Sequence, residues 1–179
     1  MNITVYLGAS LGNDEKYKKA AEELGSFIGG GGHTLVYGGS KSGLMGVLAD
    51  AVLAAGGSVI GVEPQMFVDC QLQHESLTQL TVTKDIRERK AKMIELGDAF
   101  IAFPGGTGTL EEIAEVMSLV ALHQTNRPCI LYDLDGYYEG LKNLLGAMLS
   151  NGFSTEVRLR GISFAENISD IEKILNKKA

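Results

Sequence analysis

The sequence predicts an α/β protein built on a doubly wound parallel sheet with helices on both faces. Three observations carry this prediction. Short β-rich runs alternate with helical patterns along the chain. The strand runs are nearly continuously apolar, as strands covered on both faces must be. Glycine is also abundant, at 23 of 179 residues, against a usual share of about 7%. Most of these glycines fall where an apolar run meets a polar segment, where positive φ or close backbone approach is needed. No linker or repeat divides the chain, so the expectation is a single Rossmann-like nucleotide-binding domain over residues 1–179.

The elements follow in order. "ITVYLGAS" is a first strand, and Asp14–Ile28 a helix with Ala20, Leu24, Phe27 and Ile28 on its apolar side. "TLVYGG" is a second strand, followed by a helix over Leu44–Ala55. "SVIGV" gives a third strand, and a polar, irregular stretch covers Glu63–Ser76. "LTQLTVT" is a strand, Ile86–Leu96 a helix, "AFIAF" a strand and Leu110–Leu122 a helix. "PCILYD" is the last strand predicted, with helices over Tyr137–Leu149 and Ile168–Lys177. In sheets of this kind ligands bind at the carboxyl ends of strands, near a switch in strand order. Four such ends carry unusual residues: Gly8–Ser10, Tyr37–Gly46, Glu63–Pro64 and Pro104–Thr109.

Composition narrows the function. The formal net charge of −6 and the lack of a basic face argue against nucleic-acid binding. A phosphate site on such a chain must be built locally from backbone amides and a few cations. Cys70 and Cys129 stand alone, with no Cys/His cluster to hold zinc. A reduced, cytoplasmic setting is expected, because "MNITVYLGAS" has no basic leader and enters a strand pattern at once. The most apolar stretch, "GLMGVLADAVLAAGGSVIGV", is broken by Asp50 and Gly56-Gly57 and reads as helix, turn and strand, not as a membrane span.

"PGGTGTLEE" (Pro104–Glu112) is the most informative stretch. Gly105, Gly106 and Gly108, with Thr107 and Thr109, follow a strand and open a helix. That combination exposes backbone amides beside a positive dipole end and suits a phosphate. Thr109 and Glu112 also have the T-x-x-E spacing of a capping box. No lysine follows as in a Walker loop, and the spacing is not G-x-G-x-x-G, so kinase, ATPase and dehydrogenase readings lose ground. "YGGSKSGLMG" is a second glycine-rich junction, where Gly38, Gly39 and Gly43 can present amides to a ligand and Gly46 can serve close helix packing. In "DIRERKAKM", Arg89 shares a helix face with Met93 and can point inward, where its guanidinium could bind a phosphate or orient a carboxylate. His33, His74 and His123 stand singly and read as structural or exposed.

Taken together, "YGGSKSGLMG", "RERKAKM" and "PGGTGTLEE" resemble the LOG (Lonely guy) family of cytokinin riboside 5′-monophosphate phosphoribohydrolases, whose members are often labelled lysine decarboxylases. The family signature P-G-G-x-G-T-x-x-E is matched throughout at Pro104–Glu112, and the resemblance runs from "VYLGAS" to "DGYYEGLKNLLGAMLSNGF". Ile86 and Arg87 stand where the family usually carries methionine and histidine. Gln71 stands where many members have a glutamate. The resemblance implies a Rossmann-like homodimer without metal or other cofactor. It also implies hydrolysis of the N-glycosidic bond of AMP-like nucleoside 5′-monophosphates. By motif position Arg89 and Glu112 correspond to the catalytic pair. Gly8, Ser10, Gly38, Gly39, Gly43, Met45, Lys90 and Pro104–Thr109 are the expected substrate-binding residues. Two other readings remain open at this point. One is a non-catalytic nucleotide carrier of the same fold. The other is a decarboxylase carrying pyridoxal phosphate on Lys41 or Lys90.

Overall fold

Residues 1–177 are described by the computed structural model. The first strand, β1 (Asn2–Tyr6), leads into α1 (Glu15–Gly30). Asp14 starts that helix by accepting from the Lys16 amide at 3.0 Å. Next come β2 (Thr34–Tyr37), α2 (Gly43–Ala54), β3 (Ser58–Pro64), the short α3 (Gln65–Asp69), β4 (Gln79–Thr83) and α4 (Ile86–Leu96). The second half holds β5 (Ala99–Ala102), α5 (Thr107–Ala121), β6 (Cys129–Tyr132), α6 (Glu139–Ser150), α7 (Glu156–Leu159), β7 (Ile162–Ala165) and α8 (Ile168–Asn176).

All seven strands pair in parallel, in the order β4-β3-β2-β1-β5-β6-β7. The chain winds outward one way from β1 to β4, then returns to β5 beside β1 and winds the other way. The sheet therefore has a topological switch between β1 and β5, which register Ile3 against Ala99 and Tyr6 against Ala102. This is the Rossmann-like arrangement the alternation predicts.

Each face buries its own apolar layer. On one, Leu24 and Ile28 of α1 and Leu48 and Val52 of α2 cover Val5 and Leu35. On the other, Met93 of α4 and Ile113 and Val116 of α5 cover Tyr6, Val36 and Phe100. Each fully buried large aliphatic side chain contributes about 1.5–3 kcal/mol. Helices α1 and α2 approach closely because Gly25 and Gly29, one turn apart, lack side chains. A Cβ on Gly29 would stand 2.5 Å from the Val52 carbonyl oxygen.

The structure departs from the sequence reading at three places. The region read as irregular after Glu63 contains α3, and two further elements, α7 and β7, fill the chain between Ser150 and Ile168. Strand β7 pairs with β6 and closes that edge. Helix α5 begins at Thr107, three residues before the predicted Leu110. Among the described residues, no helix is long and apolar enough to cross a membrane.

Candidate active site

The loops after β1 and β5 part at the switch point and leave a cleft of about 450 Å³, lined in part by Gly8, Ser10, Pro104, Gly105, Gly106 and Tyr137. Glycine backbone forms part of the wall, and at Gly105 no side chain can fit. A Cβ on Gly8 would lie 3.4 Å from the Gly105 Cα. One on Gly105 would reach 2.9 Å from the Gly8 amide nitrogen and collide with the Thr109 hydroxyl. Thr109 is thus buried under the loop, and the T-x-x-E capping box does not form. The N-cap of α5 is Gly106, and no side chain caps the helix. The α5 N-terminus faces the loop with its positive dipole end and without an acidic first turn, an arrangement suited to an anion. Two tyrosines brace the loop. Tyr137 donates its hydroxyl to the Gly105 carbonyl, and Tyr138 donates to the Phe103 carbonyl at 2.8 Å.

Glu112 lies one turn further along α5. Its Oε1 is 3.5 Å from Nη2 of Arg89, which projects from α4, and the two side chains are only 13% and 14% exposed. Arg89 points inward as its shared face with the buried Met93 predicts. Burial raises the Glu112 pKa above the ordinary carboxylate range. The Arg89 guanidinium pulls it down, while Glu111 and Glu115 push it up. A buried carboxylate under such opposed influences is the kind of group that serves as base or charge stabiliser.

The second glycine-rich junction lies beside this pair. The Arg89 guanidinium sits over Gly38, in the space a Cβ would occupy, with the Met45 sulfur 3.1 Å from the same point. Gly39 takes φ 85° and packs against the Glu63 side chain, whose Cδ is 3.4 Å from its would-be Cβ. Gly43, at φ 59°, packs on the backbone of Ala9 and Ser10 and so fixes α2 to the β1 loop. The structure thus gathers Gly8, Ser10, Gly38, Gly39, Gly43, Met45, Arg89, Glu112 and the Pro104–Thr109 loop at one end of the sheet. Lys90 is turned elsewhere. Its ammonium bridges to Glu111 at 2.7 Å and Glu115 at 3.1 Å, tying α4 to α5.

Two features of this end went unassigned in the sequence. Tyr137 and Tyr17 border the cleft, although both lie outside the motifs the sequence singles out. Only the place of Tyr137 beside the acidic turn Asp133–Gly136 could have marked it. Glu63 is 1% exposed at the end of β3. Its signal was a carboxylate terminating the apolar run "SVIGV".

A pyridoxal site does not fit. A Schiff-base lysine needs its amine made less basic by desolvation or a neighbouring cation. Lys90 is held the other way, its pKa raised by the hydrogen bonds its ammonium donates to Glu111 and Glu115, and Lys41 pairs with Glu75 at 3.5 Å on the surface.

Residues 45–175 match the family model described as "Possible lysine decarboxylase". The cytokinin riboside 5′-monophosphate phosphoribohydrolase of Rhodococcoides fascians is 44% identical over 155 residues, covering 86% of this chain and 78% of that protein. The Arabidopsis thaliana protein LOG1, of the same description, is 37% identical over 97% of this chain and 81% of its own length. Among solved structures, the Moco carrier protein of Chlamydomonas reinhardtii superposes with a TM-score of 0.72 at 22% identity, over 99% of this chain and 98% of that one. At that identity the likeness is one of fold.

Proposed function

The chain belongs to the LOG family, the cytokinin riboside 5′-monophosphate phosphoribohydrolases, and from that premise we propose that it hydrolyses the N-glycosidic bond of AMP or of a cytokinin riboside 5′-monophosphate. Water adds to C1′ of the ribose, the base leaves carrying a proton as adenine or cytokinin, and ribose 5-phosphate is the second product. The observation that carries this reading is the buried Arg89–Glu112 pair set beside an uncapped helix N-terminus.

In this reading the 5′-phosphate sits on the amides of Gly105–Thr109 at the start of α5. Holding the phosphate fixes the ribose and lets remote binding energy act at C1′. Cleavage builds oxocarbenium character on the sugar, and Glu112 stabilises that charge or activates the attacking water. Arg89 keeps Glu112 ionised and oriented, and Gly8, Ser10, Gly38, Gly39, Gly43 and Met45 complete the cradle.

Incubation with AMP and chromatography for free adenine tests the activity. Adenosine should react at least a hundredfold more slowly in kcat/KM, since it lacks the anchoring phosphate. Equal rates on the two would count against the cradle. A carrier of the same fold would bind AMP and release no adenine.

The assembly we propose is a homodimer in the cytoplasm. Leu122 at the end of α5, Phe153 and Val157 are 63%, 81% and 53% exposed, and α5 packs on α7. Exposed apolar side chains on this helix pair and the loop before it support docking of a second copy. Light scattering at micromolar concentration tests this, and a monomer would refute it.

A further inference from the structure

Two buried polar atoms at the carboxyl end of β2 are complementary and unmatched. Arg89 Nε is a donor and Glu63 Oε2 an acceptor, and neither has a hydrogen-bond partner among the described residues. The stretch that brings them together is Gly38-Gly39. The Arg89 guanidinium occupies the side-chain space of Gly38. The Glu63 carboxyl packs against the next residue, with Oε2 3.4 Å from the would-be Cβ of Gly39. Neighbouring Cα atoms are about 3.8 Å apart, so cation and carboxyl stand over a single peptide unit. Both orphaned atoms are sealed from solvent, and bulk water screens their attraction little.

The same guanidinium serves Glu112, at 3.5 Å. One buried cation is therefore shared by two buried carboxyls. With both ionised the trio carries a net negative charge, and each carboxylate weakens the hold of Arg89 on the other. No neighbour supplies a second free cation. Around Glu63, burial keeps Tyr37 of β2 neutral, β4 presents Val82 and Thr83, and Asp69 at the end of α3 is bound by Gln65 at 2.8 Å. Around Glu112, Lys90 is taken up by Glu111 and Glu115, and Tyr6 of β1 and Cys129 of β6 are kept neutral by burial. Glu111 and Glu115 make Glu112 harder to ionise, whereas no acidic neighbour acts on Glu63. Glu63 thus ionises first, and its charge is in place when Glu112 titrates.

We propose that Glu63 is a positioning residue for the glycosidic hydrolysis: it shares the Arg89 guanidinium with Glu112 and so leaves Glu112 a stronger base toward the attacking water. This rests on the phosphoribohydrolase reading and adds a second carboxylate to it. The Gly38-Gly39 pair is what lets both groups reach the same place. Removing the Glu63 charge acts opposite in sign to removing Arg89, because the whole cation then falls to Glu112.

The test is carbon-13 NMR of the glutamate carboxyls in the full chain, titrated between about pH 4 and pH 10. Glu112→Gln identifies the Glu112 signal. Glu63→Gln should lower the Glu112 midpoint by at least about 0.5 unit. Glu63→Asp keeps the charge, and its midpoint should lie closer to the parent than to the glutamine variant. An unmoved or raised midpoint in Glu63→Gln would overturn the proposal. The parent chain guards against a folding defect in the variant: its Glu112 signal should show a second inflection at the Glu63 midpoint, and a single inflection would also overturn the proposal. The acid limb of kcat/KM for AMP should move to lower pH in Glu63→Gln. Uniform loss at every pH would make Glu63 merely structural. Failure of the unaltered chain to release adenine would sink the hydrolase reading, whereas the NMR midpoints judge the coupling of Glu63 to Glu112 without turnover.

Discussion

Replacing Arg89 with methionine removes the charge beside Glu112 while keeping most of the side-chain volume. At 3.5 Å two unit charges attract by about 4.7 kcal/mol at an effective dielectric of about 20. Part of this offsets desolvation of the pair, and stranding one partner of a buried pair costs about 3 kcal/mol. That corresponds to roughly a hundredfold fall in the ratio of ionised to protonated Glu112. The direction is fixed by the balance at the site. Burial already raises the Glu112 pKa, and Arg89 is the main influence that lowers it, so its loss raises it further. The assay is adenine release from AMP between pH 5 and 10. In the wild-type chain the acid limb of kcat/KM should lie above the ordinary carboxylate range. In Arg89→Met it should move to higher pH, with a far greater loss at pH 6 than at pH 9. An unmoved acid limb with uniform loss would refute the reasoning and make Arg89 a contact to the nucleotide instead.

Other predictions follow from the same geometry. Gly105→Ala forces a Cβ into the Thr109 hydroxyl and toward the Gly8 amide. It should raise KM for AMP at least tenfold, with little change in its response to pH; an unchanged KM would remove the loop from phosphate binding. Tyr137→Phe deletes one hydrogen bond to the Gly105 carbonyl. At about 1 kcal/mol it should raise KM about fivefold and leave kcat nearly intact. Glu63→Gln should stabilise the fold in a pH-dependent way. Burial raises the Glu63 pKa in the folded state, against the pull of Arg89. Below the ordinary carboxylate range both states are protonated and nothing is lost. As pH rises through the folded pKa, ionising Glu63 destabilises the native state, fully so above it. The variant should therefore gain about 1–2 kcal/mol in urea unfolding at pH 8 and almost nothing at pH 4. An equal gain at both would trace the effect to packing.

Much of the fold was legible because strand runs such as "AFIAF" are buried on both faces and carry an unbroken apolar signal. Strand β7, "ISFA", was not. It is four residues long, at the sheet edge, half-buried along most of its length, and follows Gly161 at φ 106°. Nothing in so short a run distinguishes it from a loop. The start of α5 was misplaced because Gly108 and two threonines are poor helix formers, and only the surrounding fold draws them into the first turn. Arg89 was readable from its spacing to Met93, since helix geometry alone puts the two on one face. Glu63 was visible as an oddity, but burial of an unpaired carboxylate depends on the loop after β2 packing Gly39 against it. That is a tertiary fact with no local signature.

The switch between β1 and β5 has a mechanical consequence. The two halves of the sheet wind in opposite directions from this seam, and the seam's upper end is two glycine loops with little side-chain matter between them. A nucleotide held by both loops is a clasp across that seam. Shearing β1 against β5 would have to break its contacts as well as the ladder. Substrate should then suppress opening of the sheet along its midline more than fraying at the β4 or β7 edge, and the protein would be stiffest while it is at work.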